Sequence, residues 1–389
     1  MKTAAAAGSV TRESAADAPQ LEIAVVTARP ALPALTSLRF FAAAQVVVFH
    51  YAPPVETDFA RGLTQAGYYA VMFFFLLSGF ILTYVYAEPG ARSAINVTKR
   101  EFWKARFARI APAYFLGLLL LLPRFLYTGL VSKVLPLDLF FAALVLVPLL
   151  QQAWWPPVAG GWNTPAWSLS VEFFFYAVFP FFALATRRWS PRGCLVGSYA
   201  LIAIVALLQA YFLPLAPAES AWHNFKWFFP LWHLPLFLFG MALGRLYLAA
   251  PAISTKRYDV LFWSGALFLV LLFGLRGELP LWTQTGPVLA MPFALVIFGA
   301  ARAPSTARLL TLPALLLLGE ASYSMYILHI PLAFWWHVLT QKVLSMNLPG
   351  MIDFALYFLL VVGGSVVSFL YVEKPLRRKI LGHREHRPA

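Results

Sequence analysis

The sequence predicts an all-α, polytopic integral membrane protein. In 389 residues 61% are apolar and 12% charged, against about 25% charged in ordinary soluble domains. The apolar residues also come in continuous runs of about twenty, the length of a membrane-crossing helix, where a β-barrel would show short alternating strands. Thirteen Trp and 35 Phe suit a bundle with aromatic belts at its interfaces. A single cysteine, Cys194, excludes an intramolecular disulfide and a cysteine metal cluster.

Residues 1–30 are rich in Ala, Ser and Thr and lack the apolar core of a signal peptide, so a mobile tail is expected there. Apolar runs follow at 33–52, 67–87, 107–127, 134–150, 166–186, 192–213, 227–249, 258–275, 281–300, 313–340 and 351–372. Basic residues decide how many of these cross. Arg92, Lys99, Arg100, Lys104, Arg106 and Arg109 form one cluster and Arg187, Arg188 and Arg192 another, and the positive-inside rule places both in the cytoplasm. Three crossings between them would put them on opposite faces, so one run must fail to span. That run is 134–150, the shortest, which holds Pro136 and Pro148 and leads into Trp154-Trp155-Pro156-Pro157. It is read as re-entrant or interfacial. About ten transmembrane helices remain, with both termini cytoplasmic, a transmembrane domain over 31–376 and a basic tail over 377–389.

The same count explains the net charge of +14. Twenty-three of the 30 Lys and Arg fall in segments placed inside and six in segments placed outside. A basic face for nucleic acid is not needed.

Ionisable side chains inside a span are costly and mark function by default. Arg39 and His50 lie in the first run, eleven residues or about 16 Å apart along a helix. The structural alternative is an arginine reaching one interface and a histidine ending the helix before Pro53-Pro54. Glu172 opens the run at 166 from the opposite direction, which places it at a depth similar to His50. A histidine held by a carboxylate keeps one ring nitrogen available as a base, so His50 and Glu172 are expected to pair. The alternative is a buried ion pair that only joins two helices. Ser322, Tyr326 and His329 share one face of a later helix at i, i+4, i+7. Arg106 and Arg109, at i, i+3, offer planar forks suited to phosphate near the level of Arg39.

These stretches carry a resemblance. Arg39 followed by ten residues and His50, then Gly67 to Phe80 with its Leu77-Ser78-Gly79-Phe80 end, resembles the opening of the membrane-bound acyltransferase-3 family. The likeness continues through Arg106-x-x-Arg109-Ile110-Ala111-Pro112, Gly161-Trp162-Asn163-Thr164-Pro165-Ala166-Trp167-Ser168-Leu169-Ser170-Val171-Glu172, Ser322 to His329 and Val372-Glu373-Lys374-Pro375. Phe40-Phe41 departs from it, where smaller residues are expected.

The resemblance implies a ten-helix bundle in the bacterial cytoplasmic membrane. It also implies transfer of an acyl group, usually acetyl, from cytoplasmic acyl-coenzyme A to a hydroxyl of a glycan or another hydroxylated small molecule such as a macrolide. By that likeness His50 is the essential catalytic residue, and Arg39, Arg106 and Arg109 are associated with the donor. With Glu172 beside His50, the candidates to line the acceptor cavity are Ser78, Trp167, Ser168, Tyr326 and His329. No bound cofactor, metal or nucleic acid is implied; acyl-CoA is a co-substrate. Some members carry a C-terminal extracytoplasmic hydrolase-like domain, which is not expected here. His50 would act as general base, and an acyl-histidine intermediate is the other route. Two rival functions are a proton-coupled transporter and a non-catalytic subunit of polysaccharide assembly. No paired Gly/Pro-broken helices in matching halves support the first.

Overall fold

A computed structural model of the chain describes residues 29–88, 94–212, 225–250, 256–279 and 286–382. The expected tail is therefore outside the described residues but for its last two. Each apolar run becomes a helix whose ends are set by local chemistry. Helix α1, Pro33–Tyr51, starts on a proline and ends before Pro53-Pro54, which cannot continue it. Helix α2, Asp58–Thr64, is short and capped by Thr57, whose Oγ1 accepts from Ala60 N at 3.2 Å. Helix α3 is Gly67–Tyr86.

Helix α4, Lys99–Leu126, begins eight residues before its apolar run, on a capping box between Thr98 and Glu101, and continues as a π-helical turn to Val131. The run at 134 yields only α5, Leu137–Leu146. Ten residues span about 15 Å, half the hydrocarbon thickness. Short 3-10 turns then lead to α6, Trp167–Thr186.

Next come α7, Pro191–Phe212, the single turn α8, Phe225–Phe228, α9, Pro230–Ala249, and α10, Lys256–Gly274. Helices α11, Gly286–Ala300, α12, Pro304–Leu309, and α13, Pro313–His337, precede α14, Gly350–Ser368. A π-helical segment, Phe369–Glu373, joins α14 to α15, Lys374–Leu381.

Among the described residues nine helices are long and apolar enough to cross a membrane. The tenth expected crossing corresponds to α11, 15 residues long, whose approach at 280–285 lies outside the described residues. The basic tail placed at 377 starts instead inside α15, which carries Lys374, Arg377, Arg378 and Lys379 and leans on the start of α4 through a Lys104 Nζ to Leu381 O bond of 3.3 Å.

Two close approaches set the bundle. A Cβ on Gly79 would lie 2.1 Å from Phe237 O, and one on Gly240 would lie 2.0 Å from Leu76 O, so α3 and α9 meet backbone to backbone. Gly240 and Gly244 form the small-xxx-small spacing that permits this between membrane helices. Helices α1 and α13 run parallel, with Gly319 against Thr36, where a Cβ would stand 2.2 Å from a carbonyl oxygen.

Gly240→Val should separate α3 from α9 and cost about 1–3 kcal/mol or more, as overpacking does. Gly363→Val, where no atom lies within 4 Å, should not. Thermal unfolding of the two variants in detergent checks this, and equal midpoints would show that the α3–α9 contact is not tight.

Candidate active site

His50 is one residue from the end of α1, and its ring is exposed. Its Nδ1 is 2.8 Å from Val46 O. A carbonyl oxygen only accepts, so Nδ1 carries the proton and Nε2 of the neutral ring carries the lone pair. His329, on α13, lies beside it with ring centroids 5.0 Å apart. His329 is fully buried, and its Nδ1 is 2.7 Å from Tyr326 O. From there a line of hydroxyls reaches α6. Tyr326 OH lies 2.7 Å from Ser168 Oγ, and both are within 3.0 Å of Pro165 O. The helix-opening motif thus joins α13 at the level of the histidines, and Asn163 Nδ2 donates to Ile327 O at 3.0 Å to hold it there.

Glu172 does not pair with His50. Its Oε1 accepts from Tyr176 OH at 2.6 Å and from Ser78 Oγ at 3.3 Å, and its charge acts on Arg39. The expectation rested on depth alone. Depth along a helix says nothing about which face a side chain takes, and Glu172, one turn beyond Ser168, faces α3. Trp167 also belongs elsewhere: its ring stacks on Phe228 at 4.6 Å and stands 5.5 Å from the His233 ring.

Arg39 is half-buried in α1 and makes no hydrogen bond or ion-pair contact to a described residue. Its electrostatic surroundings are the Arg109 guanidinium and the carboxylates of Glu320, Glu373 and Glu172. Arg109 is ion-paired with Glu373, whose other oxygen accepts from Ser324 Oγ at 3.1 Å. The Arg109 guanidinium also lies 5.6 Å from the Tyr323 ring. Arg106 Nη2 donates to Tyr86 OH at 2.8 Å, and the guanidinium lies 5.8 Å from the Tyr176 ring. Three arginines therefore share one interior region with three carboxylates.

Glu373 and Glu320 are the residues that sequence reasoning missed. Glu373 sits in the Val372-Glu373-Lys374-Pro375 motif and Glu320 in the apolar run 313–340, and the rule applied to Arg39, that charge within an apolar helix needs a reason, applied to them as well. A cavity of about 240 Å³ elsewhere, at the ends of α3, α6 and α9, is lined by Thr83, Ala183, Thr186, Met241 and Arg245. Arg245 is committed there to carbonyls at and just beyond the end of α6, donating to Thr186 O at 2.5 Å and Trp189 O at 2.6 Å, so this cation closes a helix end and is separate from the histidines.

A family model described as "Acyltransferase domain" matches residues 32–371. The acyltransferase MdmB of Streptomyces mycarofaciens is 30% identical over 373 residues, covering 91% of this chain and 93% of the relative. The O-acetyltransferase OatA of Staphylococcus aureus is 25% identical over 90% of this chain, which spans 57% of that protein's length. The exopolysaccharide production protein ExoZ of Rhizobium meliloti is 28% identical over 86% of this chain and 95% of its own. No solved structure matches.

Removing one partner of a buried ion pair leaves an uncompensated charge, at about 3–5 kcal/mol, whereas replacing both with apolar groups is often close to neutral. The Glu373 side chain is 1% exposed and that of Arg109 14%. Glu373→Leu should therefore lower the unfolding midpoint strongly, and adding Arg109→Met should recover most of the loss. If the double variant is no more stable than the single one, Glu373 is held by something other than Arg109.

Proposed function

Since the chain belongs to the membrane-bound acyltransferase-3 family and is an enzyme that transfers acyl groups, we propose that it is an O-acyltransferase moving acetyl from cytoplasmic acyl-coenzyme A to a hydroxyl of a glycan or other hydroxylated small molecule, such as a macrolide. The observation that carries this is the arrangement on α1. His50 offers an uncommitted Nε2 at one end, and Arg39 offers an unpaired guanidinium about 16 Å away along the helix. That separation is comparable with an extended pantetheine arm.

The nucleotide phosphates sit at Arg39, with Arg106 and Arg109 beside it, and the arm carries the thioester toward His50. Arginine suits this because its planar fork meets phosphate oxygens in pairs. Glu172, bound to Ser78 and Tyr176, belongs to the donor side and balances Arg39. The acceptor hydroxyl gives its proton to His50 Nε2 as its oxygen attacks the acyl carbon. Such general-base help is typically worth about a hundred- to ten-thousandfold.

Orientation follows from charge. The basic ends of α4 and α15 set the arginine region toward the cytoplasm and His50 toward the outer half of a bacterial cytoplasmic membrane. The similarity to OatA, an O-acetyltransferase, and ExoZ, an exopolysaccharide production protein, supports acetyl as the group and a sugar hydroxyl as one acceptor class.

His50→Ala should abolish acetyl transfer from labelled acetyl-CoA in membranes of a deletion strain that retain the native acceptor, with expression and assembly near normal. Wild-type turnover in a folded His50→Ala protein removes His50 from the mechanism. Substrate flux without acyl-CoA in liposomes would favour a carrier instead. Arg39→Ala should weaken acyl-CoA binding by about tenfold or more, as loss of a charged hydrogen-bonding partner does, and Arg39→Lys should restore only part of it. Calorimetric titration with acyl-CoA checks both, and an unchanged affinity would mean that Arg39 only balances charge.

A further inference from the structure

Among the described residues no carboxylate pairs with His50, and its ring neighbour on α13 is a second imidazole. The rings of His50 and His329 are 5.0 Å apart and tilted by 49°. Each Nδ1 donates to a carbonyl of its own helix, Val46 O for His50 and Tyr326 O for His329. Both neutral rings therefore present an Nε2 lone pair and no second donor. His329 Nε2 is buried and has no hydrogen-bond partner among the described residues. Two hydroxyls close to this ring are engaged elsewhere: Tyr326 OH with Ser168 and Pro165, and Tyr357 OH with the carbonyl oxygen of His329 at 2.9 Å.

A buried acceptor without a donor is unfavourable, and two imidazoles in this tautomer cannot relieve each other. One added proton changes that. Once His50 is protonated at Nε2 it becomes a donor, and the His329 lone pair, on the ring whose centroid is 5.0 Å away, is an acceptor. Exposure divides the pair in the same sense, since His50 is open and His329 is fully buried behind it.

We propose that His329 is the positioning residue of the transfer centre, its Nε2 accepting the hydrogen bond of His50 while His50 carries the proton of the acceptor hydroxyl. This rests on the reading of His50 as the base. The hydroxyl O–H bond breaks as the oxygen–acyl bond forms, and its proton goes to His50. The carbon–sulfur bond of the thioester breaks with its electron pair on sulfur, and the thiolate takes the proton from His50. An ester and a thiol result, with both histidines again neutral. His329 thus supplies, without net charge, an acceptor that supports the His50 cation, while Val46 O holds the other ring nitrogen.

The test compares His329→Leu and His329→Gln in the full-length protein, in the same membranes with labelled acetyl-CoA. The Leu variant should lower the maximal rate about ten- to a hundredfold, the worth of a hydrogen bond to a charged group, with the KM for acetyl-CoA little changed. The Gln variant keeps an acceptor oxygen and should regain most of the rate. A wild-type rate in His329→Leu, or an equal fall in both variants, overturns the proposal. Nitrogen-15 histidine spectra of the wild-type protein give an answer even if a variant fails to assemble. They should show His329 neutral with its proton on Nδ1, and a proton on Nε2 overturns the proposal. Activity surviving in His50→Ala would overturn the base itself, whereas an inactive His50→Ala beside an unaffected His329→Leu would overturn only the role of His329.

Discussion

An arginine within an apolar helix must have its charge balanced nearby, and much of the bundle is arranged around that requirement at Arg39. The carboxylates that act on it come from three other helical segments: Glu172 from α6, Glu320 from α13 and Glu373 from the turn joining α14 to α15. Each is held by a different contact or by none, so the balance belongs to the region and not to one ion pair. Arg109 takes Glu373 for itself, which leaves Arg39 with counter-charges at a distance and its donors unengaged. A side chain in that state keeps its donors available to an anion.

Helices α1 and α13 connect this region to the histidines. At one end they meet through Gly319 on Thr36, with Ser37 Oγ donating to Leu310 O at 2.6 Å. At the other end they meet through His50 and His329. Both ends of the proposed path are therefore built on the same helix pair. A shift in the packing of that pair would move the arginine and the histidines together, and their separation is set by the length of α1 between them. Helix α6 adds one residue to each level, Ser168 to the histidines through Tyr326 and Glu172 to the arginines through Tyr176 and Ser78.

The α3–α9 contact serves the site indirectly. Backbone-to-backbone packing at Gly79 and Gly240 leaves α3 little freedom to rotate, and Ser78, the neighbour of Gly79, is the residue that donates to Glu172. Aromatic rings complete this wall, with Phe175 stacked on Phe237 at 4.5 Å.

Properties that depend on one segment at a time were legible in the sequence. Continuous apolar runs of about twenty residues determine that helices form, because a backbone in lipid has to satisfy its own hydrogen bonds. The prolines and low length of 134–150 determine that α5 is too short to span, and the motifs carried by Arg39, His50 and the later helices identify the family. Spacing along one helix also placed Arg39 and His50 about 16 Å apart on α1. What the tertiary structure decided is which side chains meet. Glu172 and His50 share a depth but face different neighbours, since helix direction fixes height and only packing fixes azimuth. Glu373 finds Arg109 across 264 residues of chain, and His329 finds His50 across nearly 280, pairings that no local periodicity encodes.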